Sequence, residues 1–324
     1  MAELPYRDLN GYLRGLFGER VQKITLDAGL TCPNRDGRKG RGGCLYCNAR
    51  GSGTGVWNEG QGISRQMAEG LARLRRRYGA EKFIAYFQSF TNTYAPREHL
   101  QALYQEALAW PGVVGLSIGT RPDCLADEVL DLLADYARNY LVWLELGLQS
   151  AHDATLNRLN RGHDVSCFTD AVARAAARGL ETVAHVILGL PGEGSREMAA
   201  TASFLADLPL QGVKIHLLYV SPSAALASLY RAGAYRCLTE REYVSLVVDF
   251  LELLPPQMVI HRVTGDPHAG ELLAPEWCRH KSRVIGLIQA EFARRGSRQG
   301  SRCRPPGNWS APGPSARPGE NELA

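Results

Sequence analysis

Residues 31–50 read TCPNRDGRKGRGGCLYCNAR, and the remainder of the chain is best read outward from them. The stretch holds three of the eight cysteines: Cys32, then Cys44 after a gap of eleven residues, then Cys47 after a gap of two. Two thiolates two residues apart can reach one metal centre. A third can fold back across the glycines at positions 37, 40, 42 and 43, whose lack of a Cβ permits tight turning. A structural zinc site is closed by four Cys or His ligands, and the first histidine downstream of this loop is His99. Three thiolates suit an iron–sulfur cluster that keeps one iron open. A redox pair at Cys44 and Cys47 is a third reading. Spacing alone leaves all three open.

The chain has 324 residues, 45% hydrophobic and 22% charged, the composition of an ordinary soluble protein. That length makes one large α/β domain or two smaller ones. No run of 18 apolar residues predicts a membrane span, and MAELPYRDLN lacks the apolar core of an export signal. A cytoplasmic location follows as an expectation, and with it cysteines used as ligands or buried thiols rather than as disulfides. A net charge of +4 is compatible with an RNA partner without requiring one.

Residues 1–20 read as a partly helical lead-in. Short apolar strands are predicted at 21–26, 83–87, 113–118, 141–146, 182–188 and 213–220, most followed by a helical pattern. Thr239 and Glu242 form a capping box for a late helix. VIHRV at 259–263 reads as a strand or a loop, and a last helix spans about 276–292. Repeated βα units predict a parallel sheet covered on both faces. Right-handed crossovers curl it into a partial (β/α)6, TIM-like barrel, with an open doubly wound sheet as the alternative. The expected division is a barrel core at 21–222, a C-terminal helical extension at 223–293 and a disordered Gly/Ser/Pro/Arg tail at 294–324. Arg73, Arg75, Arg76 and Arg77 on the helix after the cysteine loop read as a solvated face or as an RNA-facing patch.

Polar segments follow the strands: QSFTNTY (88–94), GTRPD (119–123), WLELGLQS (143–150), RGH (161–163) and VILGLPG (186–192). Together with CPNRDG and the cysteine spacing, these motifs resemble the radical S-adenosylmethionine superfamily. The likeness is to the branch holding the Elongator catalytic subunit and the oxygen-independent coproporphyrinogen dehydrogenases, and within it to small stand-alone bacterial proteins. It runs from about residue 12 to 288. It implies a [4Fe–4S] cluster on Cys32, Cys44 and Cys47, with S-adenosylmethionine chelated by the open iron and cleaved to a 5′-deoxyadenosyl radical. It also implies a reductant such as flavodoxin or ferredoxin.

The resemblance assigns further roles by position. Ser89, Thr91, Asn92 and Thr93 are candidates to hold the methionine amino group, with a plain turn as the other reading. Arg121 is a candidate for the cofactor carboxylate or for an ion pair. Gln149 is the candidate for a ribose hydroxyl. Glu145 is either a cofactor contact or a buried charge needing a partner such as Arg121 or Lys214. Arg161 and His163 are placed near the cofactor, and Gly189 and Pro191 shape a backbone edge for adenine. Lys214 is a candidate contact for an anionic substrate, and Cys124 a candidate hydrogen-atom donor or an inert buried thiol. His185 and His216 read as core histidines. Arg262, Asp266, Trp277 and Lys281 either close the barrel or meet substrate. Cys167, Cys237 and Cys278 are left without a role, and no second three-cysteine motif is present. Two departures from the branch stand out. Gly119 replaces a glutamate, and Ser221-Pro222-Ser223-Ala224 replaces a Gly-Thr pair.

For function, the resemblance implies tailoring of the C5 side chain of the tRNA wobble uridine, for instance conversion of carboxymethylaminomethyluridine to aminomethyluridine. A small-molecule or porphyrin-type substrate is the same-fold alternative. A zinc-stabilised nucleic-acid-binding protein without catalysis is the alternative from another class.

Overall fold

The computed structural model of the chain describes residues 4–48, 50–51, 60–265, 267 and 270–304. Seven strands form one sheet in sequential order, every pair parallel. They are β1 Val21–Leu26, β2 Lys82–Phe87, β3 Val113–Thr120, β4 Leu141–Gln149, β5 Glu181–Leu188, β6 Gly212–Leu217 and β7 Val259–Arg262. Helices α2 Ile63–Tyr78, α3 Arg97–Leu108, α4 Asp127–Ala137, α6 Val165–Ala176 and α7 Ser195–Ala206 return the chain between strands, with a short α5 at Asp153–Arg158. The extension adds α8 Leu226–Arg231, α9 Glu240–Leu253 and α10 Lys281–Arg295, after a lead-in helix α1 at Leu9–Phe17. This is the expected partial barrel with one strand more: VIHRV joins the sheet edge beside β6.

Strand alternation sorts the sheet's two faces. On β1, Ile24 and Leu26 pack into the large core between sheet and helices, while Lys23 points into the barrel, where its ammonium meets Glu145. All nine residues of β4 are buried, the condition of a central strand covered on both faces. The bottom of the barrel is filled by α1, whose Leu13 packs with Val21, Ile84, Leu141, Trp143 and Val183. The outer edge of β7 is covered as well. Residues 7–8 lie along it, Asp8 bridging to Ile260 and the Ile260 N–H donating to the Arg7 carbonyl at 2.8 Å. Covering that edge removes a row of unpaired backbone groups.

The change of composition at 294 is not a structural boundary. α10 continues to Arg295, and residues 296–304 fold back on the domain. Gln299, 4% exposed, receives the Arg7 N–H and donates to the carbonyls of Pro255 and Met258. Those three bonds explain why so polar a segment is held. The rest of the expected tail, 305–324, lies outside the described residues, as does Asp266. No helix among the described residues is long and apolar enough to cross a membrane.

Candidate active site

The cysteine loop follows β1 and crosses the C-terminal face of the sheet. It is stitched in from two sides. The Leu45 N–H donates to the Leu159 carbonyl at 3.0 Å and the Leu45 carbonyl receives the Leu226 N–H at 2.9 Å, fixing the loop between α5 and α8. Gly43, in the left-handed region at φ 80°, turns the chain into Cys44 and gives its carbonyl to the Asn160 amide at 2.9 Å. The Cys47 N–H donates to the Cys44 carbonyl at 2.9 Å, so the second and third cysteines share one tight turn.

Cys32, Cys44 and Cys47 line one cavity of about 210 Å³. Each of the last two sulfurs has a donor. Asn34 Nδ2 lies 3.6 Å and Arg161 Nη1 3.4 Å from Cys44 Sγ, and Arg35 Nη2 lies 3.1 Å from Cys47 Sγ. Burial pushes the Cys44 thiol up, but Arg161, Arg121 and Asn34 together outweigh it and leave it below the ordinary thiol value. At Cys47 burial prevails over Arg35 and the thiol stays raised. Among the described residues no three Cys, His, Asp or Glu side chains gather on one point, as a mononuclear ion requires. A cubane takes one thiolate per iron, so its ligands stand apart around one space. Three cysteines on one cavity wall, with N–H groups aimed at the sulfurs, fit that donor set.

Of the residues expected around the cofactor, Thr91, Arg121, Glu145, Gln149 and Arg161 line the same cavity. Gln149 adopts φ 77°, a left-handed conformation uncommon outside glycine, at a register shift between β4 and β5. Thr91 Oγ1 is buried with no hydrogen-bond partner, as are Ser89 Oγ and Asn92 Oδ1. Asn92 is otherwise used in stitching, its amide donating to the carbonyls of Phe87 (3.1 Å) and Gly119 (2.8 Å). Thr93 shares a hydrogen bond of 2.6 Å with Thr120. Arg121 forms a fork with Asp123, both bonds 2.9 Å, while its Nη1 is buried and unpartnered. Arg161 binds the Gly147 carbonyl at 2.6 Å as well as Cys44. A Cβ at position 147 would sit 2.7 Å from that guanidinium and would push it from its present seat.

Other expected residues lie elsewhere. Cys124 is not on this cavity. It lines a neighbouring groove of about 750 Å³ with Cys167, and burial beside Asp123 pushes its thiol up to about 12. His163 is outside both. Its Nε2 is buried without a partner, and burial together with Arg161 and Arg121 pushes the ring down to about 3. The Gly189 carbonyl is capped by the Tyr235 hydroxyl at 2.9 Å, and the Pro191 carbonyl receives Arg158 at 2.6 Å. Neither residue lines the cavity, whereas Ile187 of the same strand does.

Below the cysteines the cavity ends in a polar floor. Glu145 is fully buried and holds Lys23 Nζ at 2.5 Å, His185 Nε2 at 2.6 Å and Lys214 Nζ at 3.0 Å, with Ser117 also bonded. Lys214 donates to the Tyr86 hydroxyl at 2.7 Å. Burial pushes Glu145 up, but Lys214, Lys23 and His185 outweigh it and hold the carboxyl well below its usual range. Burial, aided by Lys214, pushes His185 down to about 4. The partner of Glu145 is thus Lys214, together with Lys23 and His185; Arg121 is engaged by Asp123. Lys23, Tyr86, Asn34 and Arg35 were not read from sequence as site residues. The available signals were a lysine on the inward face of an apolar strand and the polar residues of CPNRDG itself.

This curled parallel sheet, with a three-cysteine loop over its C-terminal face, defines the class of enzymes that use an iron–sulfur cluster to activate S-adenosylmethionine. The chain belongs to that family: the model of the Radical SAM superfamily matches residues 35–205, and that of the Radical_SAM C-terminal domain matches residues 210–294. It is therefore a radical SAM enzyme, with a [4Fe–4S] cluster and S-adenosylmethionine as cofactors, and the zinc and redox-pair readings of the cysteines fall away. Among its relatives, YtqA of Bacillus subtilis is 42% identical over 299 residues, covering 92% of this chain and 93% of the relative. YhcC of Escherichia coli is 39% identical over 282 residues, 87% and 89% of the two chains. Elongator complex protein 3 of Schizosaccharomyces pombe is 30% identical over 160 residues, 47% of this chain and 28% of the relative. The solved Elp3 of Methanocaldococcus infernus shares the fold at a TM-score of 0.67 and 18% identity, over 86% of this chain and 64% of that one.

Proposed function

We propose that the enzyme tailors the side chain at C5 of the tRNA wobble uridine, removing the carboxymethyl part of carboxymethylaminomethyluridine as glyoxylate to leave aminomethyluridine, a two-electron oxidation that takes up one water and is matched by conversion of S-adenosylmethionine to methionine and 5′-deoxyadenosine. The observation that carries this reading is a cavity that joins the three cysteines to the polar floor. A side chain inserted as far as that floor would lie beside the reacting part of the cofactor. The likeness to Elongator complex protein 3 supports an RNA substrate, and the net charge of +4 is compatible with one. The proposed electron donor is a flavodoxin or ferredoxin.

Cys32, Cys44 and Cys47 would hold the cluster. Bound there, cluster and S-adenosylmethionine supply the 5′-deoxyadenosyl radical that removes one hydrogen atom from substrate. The protein's part is to hold and shield. Arg161, Asn34 and Arg35 support the thiolates with N–H donors. Thr91 and the unpartnered arm of Arg121 would meet the methionine end and Gln149 the ribose; that all three line the cavity supports this reading. Gly119 leaves the β3 position without a carboxylate, so Gln149 takes that work alone in this reading. The plug of α1 closes the barrel below, limiting water at the reacting group.

The test is nucleoside mass spectrometry of tRNA from cells with and without the protein. Loss of the protein should raise carboxymethylaminomethyluridine and its derivatives and deplete the aminomethyl forms. Unchanged wobble uridines reject the substrate.

A further inference from the structure

Lys214 on β6 and Arg262 on β7 are register partners, so both point into the barrel, and both line the cavity. The floor carries three cations, Lys23, Lys214 and Arg262. Its one fully buried carboxylate, Glu145, is shared by the two lysines at 2.5 and 3.0 Å. Arg262 has no ion pair among the described residues, although Glu271 also lines the cavity. The histidines add no counter-charge. Lys214 is buried while Lys23 and Arg262 are half-buried, and an anion that joins them offsets the mutual repulsion. Lys214 registers that repulsion: burial, with Arg262 and Lys23 acting in the same sense, pushes it down to about 7 despite Glu145.

We infer that Lys214 and Arg262 form a seat for a carboxylate of the substrate, the guanidinium fork taking both oxygens and the ammonium standing beside it. The planar fork matches a carboxylate, whereas an ammonium-bearing group at the same place is repelled. Resting on the reading above for the identity of the substrate, the seat receives the carboxymethyl end of the side chain. The aminomethyl product, lacking that end, is then released. The seat thus sets both substrate selection and product discharge.

The test is calorimetry on the cluster-loaded enzyme saturated with S-adenosylmethionine. The probes are carboxymethylaminomethyluridine, its methyl ester, aminomethyluridine and, as a minimal carboxylate, N-methylglycine. The free acid should bind about tenfold or more tighter than the ester or the amine. R262Q should weaken the acid about 10- to 100-fold and bring it level with the ester. R262K, keeping charge but losing the fork, should fall between. The affinity of R262Q for S-adenosylmethionine should stay within about twofold, since a seat for the cofactor's own carboxylate would lose it in proportion. Equal binding of acid and ester overturns the seat and needs no variant, so it decides the matter even if R262Q fails to fold. Acid binding that R262Q leaves unchanged overturns the seat while keeping the uridine reading. N-methylglycine bound by wild type and lost by R262Q, with no uridine bound, keeps the seat and removes the uridine reading.

Discussion

At the cysteine end of the cavity the structure is built from loops: a glycine-rich segment pinned to Leu159 and Leu226, with Asn34, Arg35 and Arg161 donating to sulfur. At the floor it is built from strands, with β1, β3, β5 and β6 each delivering one side chain to a single carboxylate on β4. Both ends gather buried charge, but they tolerate different things. The loop end expects a metal core from outside, because its thiols become thiolates that iron binds. The floor supplies its own carboxylate and, among the described residues, sets three cations around it. A cofactor fits the first condition and a substrate anion the second.

Four experiments sharpen or break this contrast. Cys44→Ala should remove essentially all cluster iron and the absorbance near 400 nm, because two thiolates cannot hold a cubane, while leaving the apo fold intact. A variant that retains a full complement of iron would refute the three-cysteine assignment. Glu145→Gln strands two ammoniums in the floor and should lower unfolding stability by about 3–5 kcal/mol, measured by denaturant titration of the apoprotein. A loss no larger than that of a surface substitution would mean that the floor is wetter than its burial shows. Arg161→Lys keeps the charge but cannot span Cys44 and the Gly147 carbonyl together. It should cost about 1–3 kcal/mol and weaken cluster retention during chelator challenge. The smallest effect concerns His163, held neutral in the native state down to about pH 3. Its folded value lies below the unfolded one of about 6.5. The unfolded chain therefore binds a proton that the native chain refuses, and stability falls as pH drops below about 6.5. His163→Gln should recover about 1 kcal/mol at pH 6 relative to pH 8, read from paired melts.

The two ends were also unequally legible. The cysteine loop is local: ligand identity, spacing and turn glycines lie within sixteen residues of one another, so its chemistry follows from chain order alone. Strands and helices were legible through apolar periodicity, and β7 was ambiguous because a four-residue strand carries little period. The docking of 296–304 was hidden because its polar composition says nothing of the backbone carbonyls that Gln299 satisfies. Cys124 follows a strand's end in the chain as a site residue would, yet a short helical turn at Pro122–Cys124 swings it toward the neighbouring groove.

By itself, the sequence determined the cofactor chemistry and the βα repeat, since both depend on residues near one another in the chain. The tertiary structure alone decided which charges meet. Lys23 and Glu145 are 122 residues apart, and Lys214 and Tyr86 are 128 apart. Only the curl of the sheet, which turns alternate side chains of distant strands onto one axis, brings them into contact and sets Arg262 beside them.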